Sequence, residues 1–470
     1  MRYTLLFQLV FLSYFSSIAQ EQFFWTDPIE VASSSFGRSY PRIELNGNNQ
    51  PLITWGHQGN IYFSKMESGI FTNPIQLNND TTIAYTANWT GADIAARNDS
   101  IYVGFMHQSW GGKTYLVKSF DNGNSFSTPT RLESYSNYSS RFPSLTIDQT
   151  GQPVAAIMKM ESNGHNPQYV IRRSTDYGAT FSLENDASGW SGGASEACDC
   201  CPAALFSQEE NIALLYRDNL NNIRDIWAGI SNDNGNSIDS GFAVDNNGWQ
   251  ITSCPASGPD GAIVGDFIYA VFLSGNQVYL SKTNIYTGEI EYVNNLSEGS
   301  PTTSKNFPRI SAYENEVAIC WRENYLGSKL QVAYTSDITN NEPFQVDTVL
   351  TEVFHAADIK LGPTGIHLAI ESSSTNTVKY MFGNLSPVSF ESIKNQKILV
   401  YPNPAEHFLF VSNSQQIRYL EIYDLSGKYI SKKKASSQID ISNLGSGFYI
   451  LKCILKDGNT YSFRFNKLQD

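Results

Sequence analysis

A pattern that restarts about every 50 residues constrains this chain more than any other feature of its sequence. The copies read YPRIELNGNNQPLITW from Tyr40, GADIAARNDSIYVGFM from Gly91, FPSLTIDQTGQPVAAIM from Phe142 and PAALFSQEENIALLYR from Pro202. They continue as PASGPDGAIVGDFIYAVF from Pro255, FPRISAYENEVAICW from Phe307 and AADIKLGPTGIHLAI from Ala356. Each joins an apolar strand through a turn to a second strand, and a third strand follows. Repeats of this length made only of strands fold as small four-stranded sheets set around an axis, because one such sheet cannot bury both of its faces unaided. Seven copies predict seven blades, with six as the alternative. The seventh copy stops after VKYMFGNL, whereas FFWTDPIEV from Phe23 repeats the aromatic-then-proline pattern of the fourth strands at Phe71 and Phe126. That segment, Phe23 to Val31, is expected to close the ring beside Val378 to Phe382, removing the exposed strand edges.

The composition agrees with an all-β fold: 34 glycines, 26 tyrosines and 27 phenylalanines favour short strands and tight turns. With 41% hydrophobic and 16% charged residues, the chain is neither disordered nor a coiled coil. Residues 1–19 have the charged, apolar and small-residue order of a secretory signal peptide, from Arg2 through Leu5–Phe15 to Ala19. No later stretch approaches the length of an apolar membrane span. The formal net charge is −13, and between Gln20 and Lys397 there are 22 Lys/Arg against 39 Asp/Glu. So acidic a domain disfavours nucleic acid and anionic membranes as partners.

Three turns share one spelling: Ser119-Phe-Asp121-Asn-Gly123-Asn-Ser125-Phe126, Ser174-Thr-Asp176-Tyr-Gly178-Ala-Thr180-Phe181 and Ser231-Asn-Asp233-Asn-Gly235-Asn-Ser237-Ile238. They resemble the Asp-box of sialidase-like propellers, in which the aspartate caps turn N–H groups and glycine takes a positive φ. The composition changes at Ile398. From there ILVYPNPAEHFLFV, the Tyr423-Asp-Leu-Ser-Gly427 turn and the Leu444-Gly-Ser-Gly447-Phe-Tyr449 corner resemble the C-terminal sorting domain of the type IX secretion system. The expected organisation is a signal peptide at 1–19, a sialidase-like propeller at 20–386, a linker at 387–397 and a small β-sandwich sorting domain at 398–470. The resemblance implies a Bacteroidota-type envelope, the type IX machinery as a partner, and a secreted or cell-surface location.

The rim opposite the Asp-box turns collects the residues that could carry chemistry. Sialidases hold the substrate carboxylate with three arginines, since guanidinium pairs with carboxylate through two parallel bonds. Arg42 and Arg309 sit in Pro-Arg-Ile contexts that look like the Arg-Ile-Pro element of that family in altered order, and Arg217 and Arg322 follow inner strands. Asp218, Glu323 and Tyr325 are the residue types of an acid, a helper and a nucleophile. The resemblance implies glycans, acidic ones foremost, as ligands, with hydrolysis by an exo-sialidase route as the enzymatic form. A carbohydrate-binding module would need only an aromatic rim of Trp110, Trp190 and Trp249. The plainer alternative is that the arginines pair with carboxylates and lock neighbouring blades.

Cysteines open copies four and five at matching positions, as Cys198-Asp-Cys200-Cys201-Pro202 and Cys254-Pro255. In an exported protein, nearby thiols are expected to form disulfides, here with at least one bond from the first cluster to Cys254. The other reading is a soft-metal site for copper or zinc built from Cys200, Cys201 and Cys254 with a rim histidine. Cys320 and Cys453 are expected as buried free thiols.

Overall fold

The computed structural model describes residues 22–109, 111–134, 136–192, 197–297, 304–324, 328–352, 354–386, 398, 400–411, 414, 417–425, 427–456 and 460–468. Residues 1–21, on which the signal-peptide expectation falls, lie outside this set, as does the linker at 387–397. The chain divides into two compact units, Gln20–Pro387 and the C-terminal segment from Val388.

Among its described residues, the first unit holds seven sheets of four or five antiparallel strands. Their innermost strands are Ser39–Leu45, Asp93–Arg97, Tyr138–Ile147, Ala204–Gln208, Asp260–Val264, Ser304–Tyr313 and Phe354–Gly362. Each inner strand neighbours the next in chain order, and the seventh returns to the first, so the sheets, numbered one to seven, form a closed propeller. The second strands explain why the copies cannot stand alone. Asn211–Arg217 and Gly365–Ser372 are buried at every position. A strand covered on both faces has no solvent side, which is why these segments read as nearly continuous apolar runs rather than as alternating ones.

The N-terminal segment supplies the outer edge of sheet seven. Gln22–Trp25 pairs with Gly383–Ser386, and Ile29–Glu30 pairs with Lys379–Tyr380. Between and beyond them, Thr26 N–H donates to the Phe382 carbonyl and Val31 N–H to the Val378 carbonyl, both at 2.9 Å. Phe23 reaches past its own sheet to stand edge-on against Tyr334 of sheet six, with ring centroids 5.1 Å apart.

All three Ser-x-Asp-x-Gly turns have the same bonds. In the first, the Ser119 hydroxyl donates to Asp121 at 2.7 Å and accepts from Gly123 N–H at 2.9 Å, while Asp121 also accepts from the Ser125 backbone and hydroxyl. The turns at Asp176 and Asp233 repeat this set. Hydrogen bonds to the anion, led by the Ser125 and Thr180 hydroxyls, hold the Asp121 and Asp176 carboxyls down at about 2. Gly123 has a φ of 74° and faces the Phe63 ring of the preceding sheet, so a side chain there would meet both a conformational and a steric barrier.

The second unit packs a three-stranded sheet (Val400–Tyr401, Phe408–Val411, Gln438–Asp440) with a four-stranded one (Tyr429–Lys434, Ile417–Asp424, Gly447–Leu455, Thr460–Lys467). Leu409, Val411, Leu420, Ile422, Ile439, Leu451 and Cys453 form its core. The Tyr449 hydroxyl donates to the Gly445 carbonyl at 2.9 Å, tying the corner.

Phe23 is 4% exposed and joins two sheets through the closing strand. Phe23→Ala is therefore expected to lower the unfolding free energy by about 3 kcal/mol, measured by urea denaturation; an unchanged midpoint would show that the segment does not close the ring.

Candidate functional site

The axial channel begins with residues brought in by the inner strands. In sheets one, three and six, the strand bulges where an aromatic residue precedes proline: Tyr40, Phe142 and Phe307 have φ values of 50°, 46° and 53°. The register slips at these points, between Ser39 and Arg42, Arg141 and Ser144, and Asn306 and Arg309. Bulky residues rarely take this conformation, so each bulge is held by its surroundings. Beyond it, Arg42, Ser144 and Arg309 line the channel alongside Asp93, Asp260 and Asp358 from sheets without the aromatic-proline step.

These side chains tie the ring together. Arg42 lies 3.1 Å from Asp93 and 3.4 Å from Asp358, and Arg309 lies 3.9 Å from Asp358 and 4.0 Å from Asp260. The carboxylates also accept backbone N–H groups of the following sheet: Asp93 from Leu145, Asp260 from Ile310 and Asp358 from Ile43. Ser144 takes Leu205 N–H in the same way, and Ser311 takes Leu361 N–H. Three carboxylates around Arg42, Asp358 foremost, raise its already high pKa against the opposing effect of burial, which is the largest single influence. Burial likewise pushes the Asp260 carboxyl up, opposed by Arg309 and Arg42. The channel encloses about 640 Å³. Its lining carries Glu44, Asp93, Asp148, Glu209, Asp260 and Asp358 against Arg42, Arg97, Arg309 and Lys360. It is not a positive mouth.

The other proposed site arginines are also engaged. Arg217 is 1% exposed, and its guanidinium donates to the carbonyls of Ser257, Arg224 and Leu273 while lying over the Trp249 ring. Arg322 donates to the His355 carbonyl at 3.0 Å and stacks on Phe307. Asp218 accepts from Leu220 N–H, and Glu323 accepts from the Gln331 amide at 3.3 Å. The buried Tyr216 hydroxyl accepts from Gly189 and Trp190 N–H groups, and burial pushes its pKa up, the opposite of what a nucleophile needs. Tyr325 and Trp110 lie outside the described residues. Among the described residues, the four arginines do not meet around one pocket: Arg42 and Arg309 face the channel, while Arg217 and Arg322 bridge sheets four to five and six to seven. Trp190, half-buried, covers Gly241 and lines a shallow pocket with Asp186 and Asp239, and Trp249 stacks on Arg217.

A different aromatic group does reach the rim above sheets two and three. Tyr85 and Trp89 are half-buried with ring centroids 6.2 Å apart, Trp89 stands 5.7 Å from Phe142, and the Arg141 guanidinium lies 4.8 Å over Phe142. The exposed Asp199 acts electrostatically on Arg141. Tyr85 and Trp89 stand in a connection outside the repeating pattern, so periodicity gave no signal for them. The sequence reading missed Asp93, Asp260 and Asp358; Asp93 and Asp358 carried a signal, since each stands third in its copy as Arg42 does.

The cysteine loops meet between sheets four and five. Cys200 and Cys254 form a disulfide across 54 residues, with Cα atoms 6.5 Å apart. The Cys198 sulfur lies 2.9 Å from that of Cys201 and 3.5 Å from that of Cys200. Cys198 rather than a histidine therefore completes the group formed by Cys200, Cys201 and Cys254. Cys320 and Cys453 are buried free thiols.

Residues 399–465 match the family described as a secretion system C-terminal sorting domain. The protein is therefore secreted or displayed at the cell surface, and no helix among the described residues is long and apolar enough to cross a membrane. Comparison with curated proteins finds no match. Among solved structures, an ulvan lyase bound to a glucuronic acid–sulfated rhamnose unit aligns at 12% identity and a TM-score of 0.48, covering 75% of this chain and 95% of its own. A Penicillium chrysogenum alpha-L-arabinanase aligns at 12% identity and 0.42, covering 77% and 98%. Trypanosoma rangeli sialidase aligns at 9% and 0.42, covering 93% and 87%. No residue role is carried over from these likenesses.

Asp358→Ala leaves Arg42 and Arg309 short of a shared, buried carboxylate and Ile43 N–H without its acceptor. The expected loss is about 3–5 kcal/mol of folding stability, read by denaturant titration; a loss below about 1 kcal/mol would show that the network does not hold the ring. Glu371 gives a separate pH signature. Burial pushes its carboxyl up to about 7 despite Arg38 Nε at 3.2 Å. A carboxyl that titrates higher when folded binds a proton on folding, so its contribution to stability falls as pH rises from the ordinary carboxylate range to about 7. Glu371→Gln should remove that slope relative to the parent, checked by melts between these limits.

Proposed function

We propose that this exported propeller binds glycans, acidic ones foremost, on its upper rim and does not hydrolyse them. One observation carries the reading: the arginines a sialidase reaction would require are committed to contacts between sheets, whereas the half-buried rings of Tyr85 and Trp89 stand together at the rim, with Arg141 over the Phe142 ring beside them. An indole face offers an apolar, electron-rich platform for the C–H face of a pyranose ring. A guanidinium at its edge pairs with a sugar carboxylate or sulfate through two parallel hydrogen bonds.

Glycan-array binding at low salt tests this. Trp89→Ala should weaken binding by about tenfold or more with the melting temperature within a degree or two of the parent, matching the loss of roughly 1.5 kcal/mol expected of one stacking or charge-assisted contact. Arg141→Ala should weaken acidic glycans selectively. Arg42→Ala should destabilise the fold and leave binding to the folded protein unchanged. Full binding in Trp89→Ala and Arg141→Ala, or turnover of sialylated or uronic-acid glycosides by the parent, would overturn the reading.

The sorting domain makes a separate claim. Removing 398–470 should leave a folded propeller inside the cell envelope, detected by fractionation and immunoblot; normal release of the truncated chain would contradict it.

A further inference from the structure

We propose that Cys198, Cys200, Cys201 and Cys254 in their reduced state form a four-thiolate site for a thiophilic d10 cation, zinc(II) or copper(I), and that the Cys200–Cys254 disulfide is the metal-free, oxidised form of that site.

Convergence is the first support. Three sulfurs from one short segment and one from the next sheet lie within 4.8 Å of one another. A tetrahedral ion with sulfur ligands at about 2.3 Å sets its sulfurs roughly 3.8 Å apart, so the loops already bring the four atoms to coordination range. A structural disulfide needs two of them; it gives no reason for Cys198 and Cys201 to turn inward on the same point, fully buried.

The backbone around the sulfurs is the second support. Ala256 N–H donates to the Cys254 sulfur at 3.3 Å. Amides aimed at sulfur favour anionic thiolate and orient it, the role outer partners play around a bound metal. Ala256 accepts a φ of 48° to make its bond, a conformation costly for a residue with a Cβ. Gly258 lets the two loops close, since a Cβ there would stand 2.0 Å from the Pro202 carbonyl oxygen.

Charge is the third. Four thiolates around zinc(II) carry a net −2, and around copper(I) −3. The buried Arg217 and Arg224 both act electrostatically on Cys198, so the surrounding protein supplies compensating positive charge. Reaching the reduced state takes two electrons and two protons from a dithiol, which leaves as its own disulfide. Binding then releases the four thiol protons to water while the ion takes their place. The ion would join sheets four and five, as the disulfide does in the oxidised form.

The test uses the full chain, reduced with a dithiol, freed of it under anaerobic conditions and confirmed folded by near-ultraviolet circular dichroism. Denatured, it should show all six thiols. Zinc(II) and copper(I) are titrated in separate arms against a competing chelator, with cobalt(II) as a spectroscopic probe. The expected result is one equivalent bound in at least one arm, an intense thiolate-to-cobalt band with tetrahedral d–d transitions, and a rise in melting temperature. Cys198→Ser and Cys201→Ser should each weaken binding by about 100-fold or more, whereas Cys320→Ser, outside the cluster, should bind like the parent. A reduced, folded protein that takes up no equivalent in either arm overturns the proposal, as does uptake left unchanged in both Cys198→Ser and Cys201→Ser.

Discussion

Everything in the propeller depends on how one inner strand is fastened to the next. In four of the seven sheets a side chain at one place in the inner strand accepts an N–H of the following sheet, as Asp93 does from Leu145, Ser144 from Leu205, Asp260 from Ile310 and Asp358 from Ile43, and in two others Arg42 and Arg309 stand at that place and face the next sheet's Asp93 and Asp358. Such a bond satisfies a backbone donor that a radial sheet would otherwise leave facing the axis without a partner. Where the carboxylates cluster, Arg42 and Arg309 neutralise them, and together they span the arc from sheet five through sheet seven to sheet two. Removing one partner strands a buried charge, and this makes the network rigid.

The junction between sheets four and five is built differently. Ala204 occupies the acceptor position and has nothing to offer the Gly261 side. At this junction the Cys200–Cys254 disulfide crosses, and Arg217 donates from sheet four to the carbonyls of Ser257 and Leu273. Covalent and charge-assisted links stand where the repeating bond is missing. The cysteines and Arg217 therefore share one structural duty, whichever further chemistry the sulfurs perform.

This division of labour separates the channel from the proposed recognition surface. A channel whose lining holds six carboxylates against four cations does not attract an anionic sugar, and Arg42 and Arg309 are spoken for by carboxylates at 3.1–4.0 Å. The aromatic group at Tyr85 and Trp89 lies in the connection between sheets one and two, held by the Ala84–His107 bridge and packed on one side against the core around Phe142. Recognition on loops held by a rigid scaffold is the common arrangement in β folds.

The sequence alone determined the all-β class, the repeating unit, the three aspartate-capped turns, the closing role of Phe23 to Val31, the pairing of a Cys198–Cys201 thiol with Cys254, and the sorting domain. Each of these is a local or periodic property: turn chemistry is written in adjacent residues, and a period records which positions face a neighbour. The tertiary structure alone decided what the arginines do. Arg42 reads the same in sequence whether it waits for a ligand or holds Asp93 and Asp358, because those partners stand 51 and 316 positions away and only ring closure brings them within 3.4 Å. The same holds for Cys198, whose place beside the other three sulfurs follows from two loops meeting across sheets, and for Trp89 and Arg141, which the sequence separates by a whole repeat.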